Sequence, residues 1–440
     1  MVDPDMAILW LFDNLRVEPF GALPMANLTS KGGPTVIKNY EQVGSYNWVL
    51  QEAKEDVENG NSTGEQPTVK PTMIVPGAPR ELVFWKGGRL KMDEGYLLYD
   101  VNHLKIPHAP MDPIFLAIKH LNEKEGKPEM DFQQFDFITD AINLQKIFAF
   151  AKAVSEEEGG GGGMFRIDLE RIGRTILATR VEACDVVPID FETFDRSFRH
   201  QCTNGATRFT AGPYQQLATY QFGQLKFLVR FEADCADYTK LPGNAGSPHS
   251  GYPEPGPDVT EQRAPFALNQ DVLLADYGKR QRHTLLTTTT YPHNRGFPFF
   301  TYAQLFFTGL DQLLVGWWKG ADDFGRPAQY ALADINKMIK PPPYVQLSKT
   351  YDCLVKVMNL LRKNREGLRI SLLWKGNEFI EIYEKAPYVP GAVSDSVREY
   401  LKSQVKEQVP GDLPRTGNEE EEENGEAAAP APAPAATKSK

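Results

Sequence analysis

Cysteine is scarce in this 440-residue chain: Cys184, Cys202, Cys235 and Cys353 are all it has, and no two form a CxxC pair. That spacing excludes a zinc ribbon and a disulfide scaffold. It fits thiols acting as small hydrophobes in a reducing compartment. Apolar runs of the roughly 18 residues that a membrane span needs are missing too. The run from Met6 to Phe12 is too short for a secretory signal, and Asp3 and Asp5 precede it instead of bases. The expectation is a soluble nuclear or cytoplasmic protein with no membrane partner. Positive charge is not in excess either. Against 58 acids stand 48 bases, a net charge of −10. This argues against a generally basic nucleic-acid binder and gives no reason to expect DNA, although a local basic groove survives a negative total. The sequence holds no HExxH and no catalytic-cysteine motif, and its one GxSxG match, Gly60 to Gly64, lies in a polar, turn-rich stretch with no strand pattern before it, so it is not a nucleophile elbow. Gly159 to Gly163 lack the Lys-Ser/Thr pair of a P-loop and read as a surface linker. Asp322–Asp323 has no second acidic pair in helical register, so paired-aspartate diphosphate chemistry is not supported.

What is present is globular: 41% hydrophobic, 11% aromatic and 24% charged residues, enough for a large core. Residues 1–70 are turn-rich and read as an N-terminal arm with some docked pieces. Residues 71–408 read as one large α+β domain, a mixed bent β-sheet flanked by helices. From 409 to 440 an acidic run and Ala/Pro repeats cannot bury apolar surface, so a disordered tail is expected. Within the domain the periodicity predicts short strands around Gly87–Gly88, helices over 112–122, 136–152, 300–309 and 345–363, and a hairpin over 164–182. Strands are predicted over 225–235, 282–291 and 312–318, with a last hairpin turning at Lys375–Asn377.

One strand carries chemistry. Along Lys226 to Asp234, side chains alternate, so Phe227, Val229, Phe231 and Ala233 form an apolar face and Leu228, Arg230, Glu232 and Asp234 the other. Carboxylates at i and i+2 project in parallel, a spacing that holds Mg²⁺ or Mn²⁺ through oxygen. A salt-bridged surface strand, with Arg230 as the cation, explains the same pattern. Basic residues cluster at 279–283, at Arg362 to Arg369 and along the hairpin at Arg166, Arg171, Arg174 and Arg180. They either neutralise RNA phosphates or decorate solvated faces.

Several stretches, in order, resemble the DXO-type decapping exoribonuclease family. They are "FDFITDAINLQKIF", "MFRIDLERIGRTILATRVE", "FDRSFRHQC", "VRFEADCAD", "LLTTTT", "FTYAQLFFTGLDQLLVGWW" and "EKAPYVPGAVSDSVREYL". The resemblance implies hydrolysis at an RNA 5′ end by two divalent cations held on carboxylates. Glu232 and Asp234 match its E-x-D metal-binding pair, and Gln304 its substrate-side glutamine. The other elements fall on uncharged or wrongly charged residues. The family's early arginine falls on Ala141, and its Gly-Tyr-x-Phe-Glu glutamate on Arg199 or His200 after the matching Phe198. Its Glu-x-Lys falls on Leu286 and Thr288, and the glycine before its E-x-D glutamate on Phe231. Arg199 among carboxylates repels divalent ions. The expectation is therefore a divergent DXO-like protein with impaired chemistry. It would bind RNA 5′ ends or a protein partner through the old groove, with Gln304, Arg199 and Arg230 facing substrate. Two alternatives remain: a Mg²⁺- or Mn²⁺-dependent hydrolase with a rearranged ligand set on Glu232 and Asp234, and a scaffold that no longer binds RNA.

Overall fold

The computed structural model describes residues 6–49, 71–152, 164–204, 211–240, 262–263, 273–276, 283–292, 297–318, 320 and 322–405. The linker glycines, the basic run at 279–282 and the C-terminal tail lie outside the described residues. No described helix is long and apolar enough to cross a membrane.

Among the described residues two large sheets and one two-stranded sheet form an α+β domain. The larger has twelve strands, and its middle runs Phe165–Ile172, Thr175–Val181, Phe137–Asp140, Leu225–Ala233, Ala211–Phe222, Ile37–Val49. Most neighbours are antiparallel, but Phe137–Asp140 lies parallel to both of its partners, so the sheet is mixed. The smaller of the two large sheets includes Arg80–Leu82, Cys235–Ala236, Leu285–Pro292 and Gln312–Trp318. The chain passes from one sheet to the other at a single residue. Leu225–Ala233 belongs to the first, Cys235–Ala236 to the second, and Asp234 is the step between them. Its backbone N–H donates to Leu286 O at 3.0 Å, which ties the step to the second sheet.

The larger sheet is buried on both faces. One packs against helices Ala141–Lys152, Phe299–Thr308 and Tyr344–Lys363 through Phe148, Phe307, Phe227 and Val357. The other packs against helix Asp112–Lys124 through Phe115, Ile118, Leu217 and Leu228. This double burial corrects the alternation reading of the central strand. Leu228 is fully buried and Arg230 only 1% exposed, because a second core covers the face expected to be polar. At each such position burial of a large apolar side chain contributes about 2 kcal/mol.

Local chemistry sets the boundaries. The 164–182 segment forms the expected hairpin, Phe165–Ile172 with Thr175–Val181, turning at Gly173 with φ +61°. Helix Phe299–Thr308 stops at Gly309, whose φ of 62° is the left-handed cap that glycine favours. The helix expected over 136–152 starts later: Phe137–Asp140 is a strand and Ala141–Lys152 the helix. Both neighbours of that strand are already in the sheet, so ladder bonds on either side outweigh helix propensity. The expected arm is also more deeply built in, since Ile37–Val49 is a thirteen-residue strand between Ala211–Phe222 and Thr72–Val75. Buried Tyr46 and Trp48 anchor it, and both donate to Asn102 Oδ1, at 2.6 and 3.0 Å.

A candidate substrate cleft at the junction of the sheets

Glu232 and Asp234 sit where the two sheets meet. Side chains of strand Leu285–Pro292 close over Asp234. Its Oδ2 accepts from Thr287 Oγ1 at 3.0 Å, from the Thr288 N–H at 2.6 Å and from Thr288 Oγ1 at 2.9 Å. Its other oxygen, Oδ1, lies 2.8 Å from Arg199 Nε. Arg199 stands in the last turn of helix Asp195–Cys202, and its Nη1 also reaches Glu232 Oε1 at 3.5 Å. One guanidinium therefore touches both carboxylates. Asp234 holds it charged, raising its pKa above the usual arginine value. The first residue of the same helix, Asp195, is bound in the same manner as Asp234: its Oδ1 accepts from Thr290 N–H at 2.6 Å and Thr290 Oγ1 at 2.8 Å. The threonine run reads as a strand from sequence, but its hydroxyls also serve as donors to buried Asp234 and half-buried Asp195.

Beside this cluster lies a cavity of about 220 Å³. Glu232 opens into it with 41% of its side chain exposed. The surrounding walls push its pKa up to about 7, chiefly by desolvation and further by Asp234, while Arg199 and Arg180 oppose the rise. Gln304 lines the cavity and its Nε2 donates to Thr287 Oγ1 at 3.3 Å. Ala141 also lines it, so the position of the expected family arginine is an uncharged wall here.

Arg230, expected at substrate, is committed elsewhere. It grips Asp140 with Nε at 2.5 Å and Nη2 at 2.9 Å, and its Nη1 donates to Pro110 O at 2.7 Å and Tyr46 Oη at 3.2 Å. A guanidinium this deep needs such a partner, because an unpaired buried charge is costly. Of the four hairpin arginines, Arg174 is exposed, while Arg166 and Arg180 are committed to carboxylates of the same hairpin. Arg166 pairs with Asp168 at 2.8 Å and Arg180 with Glu182 at 2.6 Å, and Lys146 shares Glu182 at 2.7 Å. Arg362, from the other basic cluster, binds Asp136 at 2.7 Å.

The donor set does not fit a pair of divalent cations. A two-metal site needs several anionic oxygens directed at shared points. Asp234 gives its oxygens to Arg199 and two threonines, and among the described residues no three His, Cys, Asp or Glu side chains converge on one point. Five contributors were not singled out from the sequence: Asp195, Gln145, Gln215, Tyr99 and Phe300. No local pattern in the sequence marks them; the last four line the cavity because the fold brings their elements together.

The architecture is that of the Rai1-type, DXO-like enzymes. Rai1 of S. pombe superimposes with a TM-score of 0.50 at 11% identity, covering 83% of this chain and 99% of its own. Rai1 of Candida albicans, solved in complex with pU5 and Mn²⁺, gives 0.50 at 13% identity, covering 87% and 99%. Rai1 of Scheffersomyces stipitis gives 0.50 at 10%, covering 88% and 99%. At these identities the likeness establishes the fold. No curated protein sequence matches this chain. By sequence the chain belongs to the family described as a domain of unknown function, DUF8563, whose model matches residues 29–260.

Proposed function

We propose that this protein binds RNA 5′ ends in the cleft beside Glu232 and that hydrolysis there is impaired. The observation carrying the reading is Arg199, which lies on both carboxylates of the E-x-D strand. By the DXO-type resemblance Glu232 and Asp234 are the residues that would hold a divalent cation, which would supply positive charge to a phosphate. A guanidinium supplies positive charge to a phosphate and bidentate donors. It supplies no activated water, which is the nucleophile that a metal site generates. Arg80 supports a phosphate at the same place. It pairs in register with Cys235, next to Asp234, and its Nε is buried with no hydrogen-bond partner among the described residues. Burial, and after it the nearby Arg199, lower its pKa from the usual arginine value. Arg199 is shared by two carboxylates while the Arg80 Nε keeps a donor without a partner among the described residues, a donor that a phosphate oxygen would take. The complex of the Candida Rai1 with pU5 makes an RNA end the natural anion for this fold.

The test incubates the full chain with 5′-monophosphate, 5′-triphosphate and capped RNA in Mg²⁺ or Mn²⁺, following both retention on a filter and product release. Retention without turnover is expected. Metal-dependent turnover that disappears in Glu232→Ala would establish an active hydrolase with a rearranged ligand set. No retention of any RNA would leave the scaffold reading.

A further inference from the structure

The cavity beside Glu232 is furnished for something other than a phosphate. Two cations line it, Arg180 and Arg230, and both are already paired, with Glu182 and Asp140. What remains open is neutral or acidic. Gln145 and Gln215 are 4% and 5% exposed, both line the cavity, and neither side chain has a hydrogen-bond partner among the described residues. Amides that open into a cavity take their partners from water or from a ligand, so two in one cavity offer donors and acceptors to a bound molecule. Gln215 stands directly opposite Glu232 across the strand pair, which places their side chains side by side on one face. The rim is aromatic. Tyr99 is 44% and Phe300 47% exposed, and both line the cavity. Phe300, Gln304 and Thr308 follow at i, i+4 and i+8 along one helix, which sets one wall.

A planar heterocycle uses all of these features. Its faces stack on exposed aromatic rings, a contact worth about 1–3 kcal/mol per base. Its edge is read by amides and a carboxylate. Guanine is the nucleobase that offers two adjacent N–H donors, N1–H and the exocyclic amine, to the two oxygens of one carboxylate. Its O6 and N7 remain as acceptors for amide N–H groups. Uracil and adenine offer no such pair of donors. Resting on the reading of the cleft as an RNA-end site, we infer that this cavity holds a guanine base, with Glu232 taking its donor edge and Gln145 and Gln215 its acceptors. The protein then selects the base at an RNA end as well as the phosphate.

The test uses the full chain and 3′-fluorescein pentaribonucleotides, 5′-phosphorylated, beginning with G, A or U and otherwise uridine, read by fluorescence anisotropy. The G-first RNA binds about tenfold more tightly than the U-first RNA, the discrimination expected of one well-formed bidentate edge. Phe300→Ala, at a half-exposed position, and Gln215→Leu, close in volume, each reduce the ratio to about twofold or less. Thermal melts confirm that both variants fold; if Gln215→Leu does not, Tyr99→Ala replaces it. Equal affinity for all three RNAs overturns the inference and leaves the RNA-end reading standing. If no RNA binds, that reading fails, and calorimetry with guanosine alone then decides the cavity: one-to-one binding not displaced by inorganic phosphate supports the inference, and no heat sinks it.

Discussion

Replacing Arg199 by glutamate tests the central electrostatic argument. In the native chain one guanidinium lies 2.8 Å from Asp234 Oδ1 and 3.5 Å from Glu232 Oε1. Arg199→Glu removes that charge and puts a third carboxylate against the other two. Complete burial would make loss of the partner cost about 3–5 kcal/mol. Arg199 and Glu232 are 36% and 41% exposed, so water screens part of the loss, and Asp234 keeps three threonine donors. The expected destabilisation is about 2 kcal/mol in metal-free buffer. For a chain of this size that is a fall in Tm of about 2–4 °C. Three acids together now constitute a cation site. At Mn²⁺ about 100 times its Kd the variant regains about 2.7 kcal/mol, enough to return its Tm to the native value. The native protein shows no comparable rise over the same titration, because its cation is already in place. Differential scanning fluorimetry with Mn²⁺ measures both curves. A native Tm that climbs with Mn²⁺ as steeply as that of the variant would refute the argument.

Other expectations follow from the same structure. The Glu232 pKa is raised to about 7 from an ordinary 4.5, so the folded protein binds the extra proton between those values. Native stability relative to Glu232→Gln therefore falls as pH rises from about 4.5 to 7 and levels above it, as urea melts at a series of pH values will show. Arg230→Met strands Asp140 beside a buried tyrosine and lowers stability by about 3–5 kcal/mol; adding Asp140→Leu recovers most of it, read from chemical denaturation of both variants. Gly309→Ala costs about 1–2 kcal/mol, because φ is 62° and the new Cβ meets the Tyr40 ring at 2.5 Å; Tyr40→Ala in the same chain recovers the steric part.

Most elements were legible in the sequence because periodicity and turn chemistry are local. The hairpin with glycine at its turn, the helix ending at Gly309 and the 20-residue helix Tyr344–Lys363 lie where the pattern put them. Phe137–Asp140 did not, since the four-residue piece Phe-Ile-Thr-Asp before a helix reads as its first turn until two parallel neighbours claim it. At the site, Glu232 and Asp234 stood out by spacing, while the use of Arg230 could not be read because its partner Asp140 is ninety residues away. Gln145 and Gln215 lie 70 positions apart and meet at one cavity through the sheet order alone, which no local pattern encodes.

The Arg199 contact has a consequence for supply. An ion recruited from solution comes and goes with its concentration, and a chelator strips it away. A positive group bonded to the backbone is delivered one per molecule at synthesis and cannot leave, so EDTA leaves the Arg199 bridge between Glu232 and Asp234 intact.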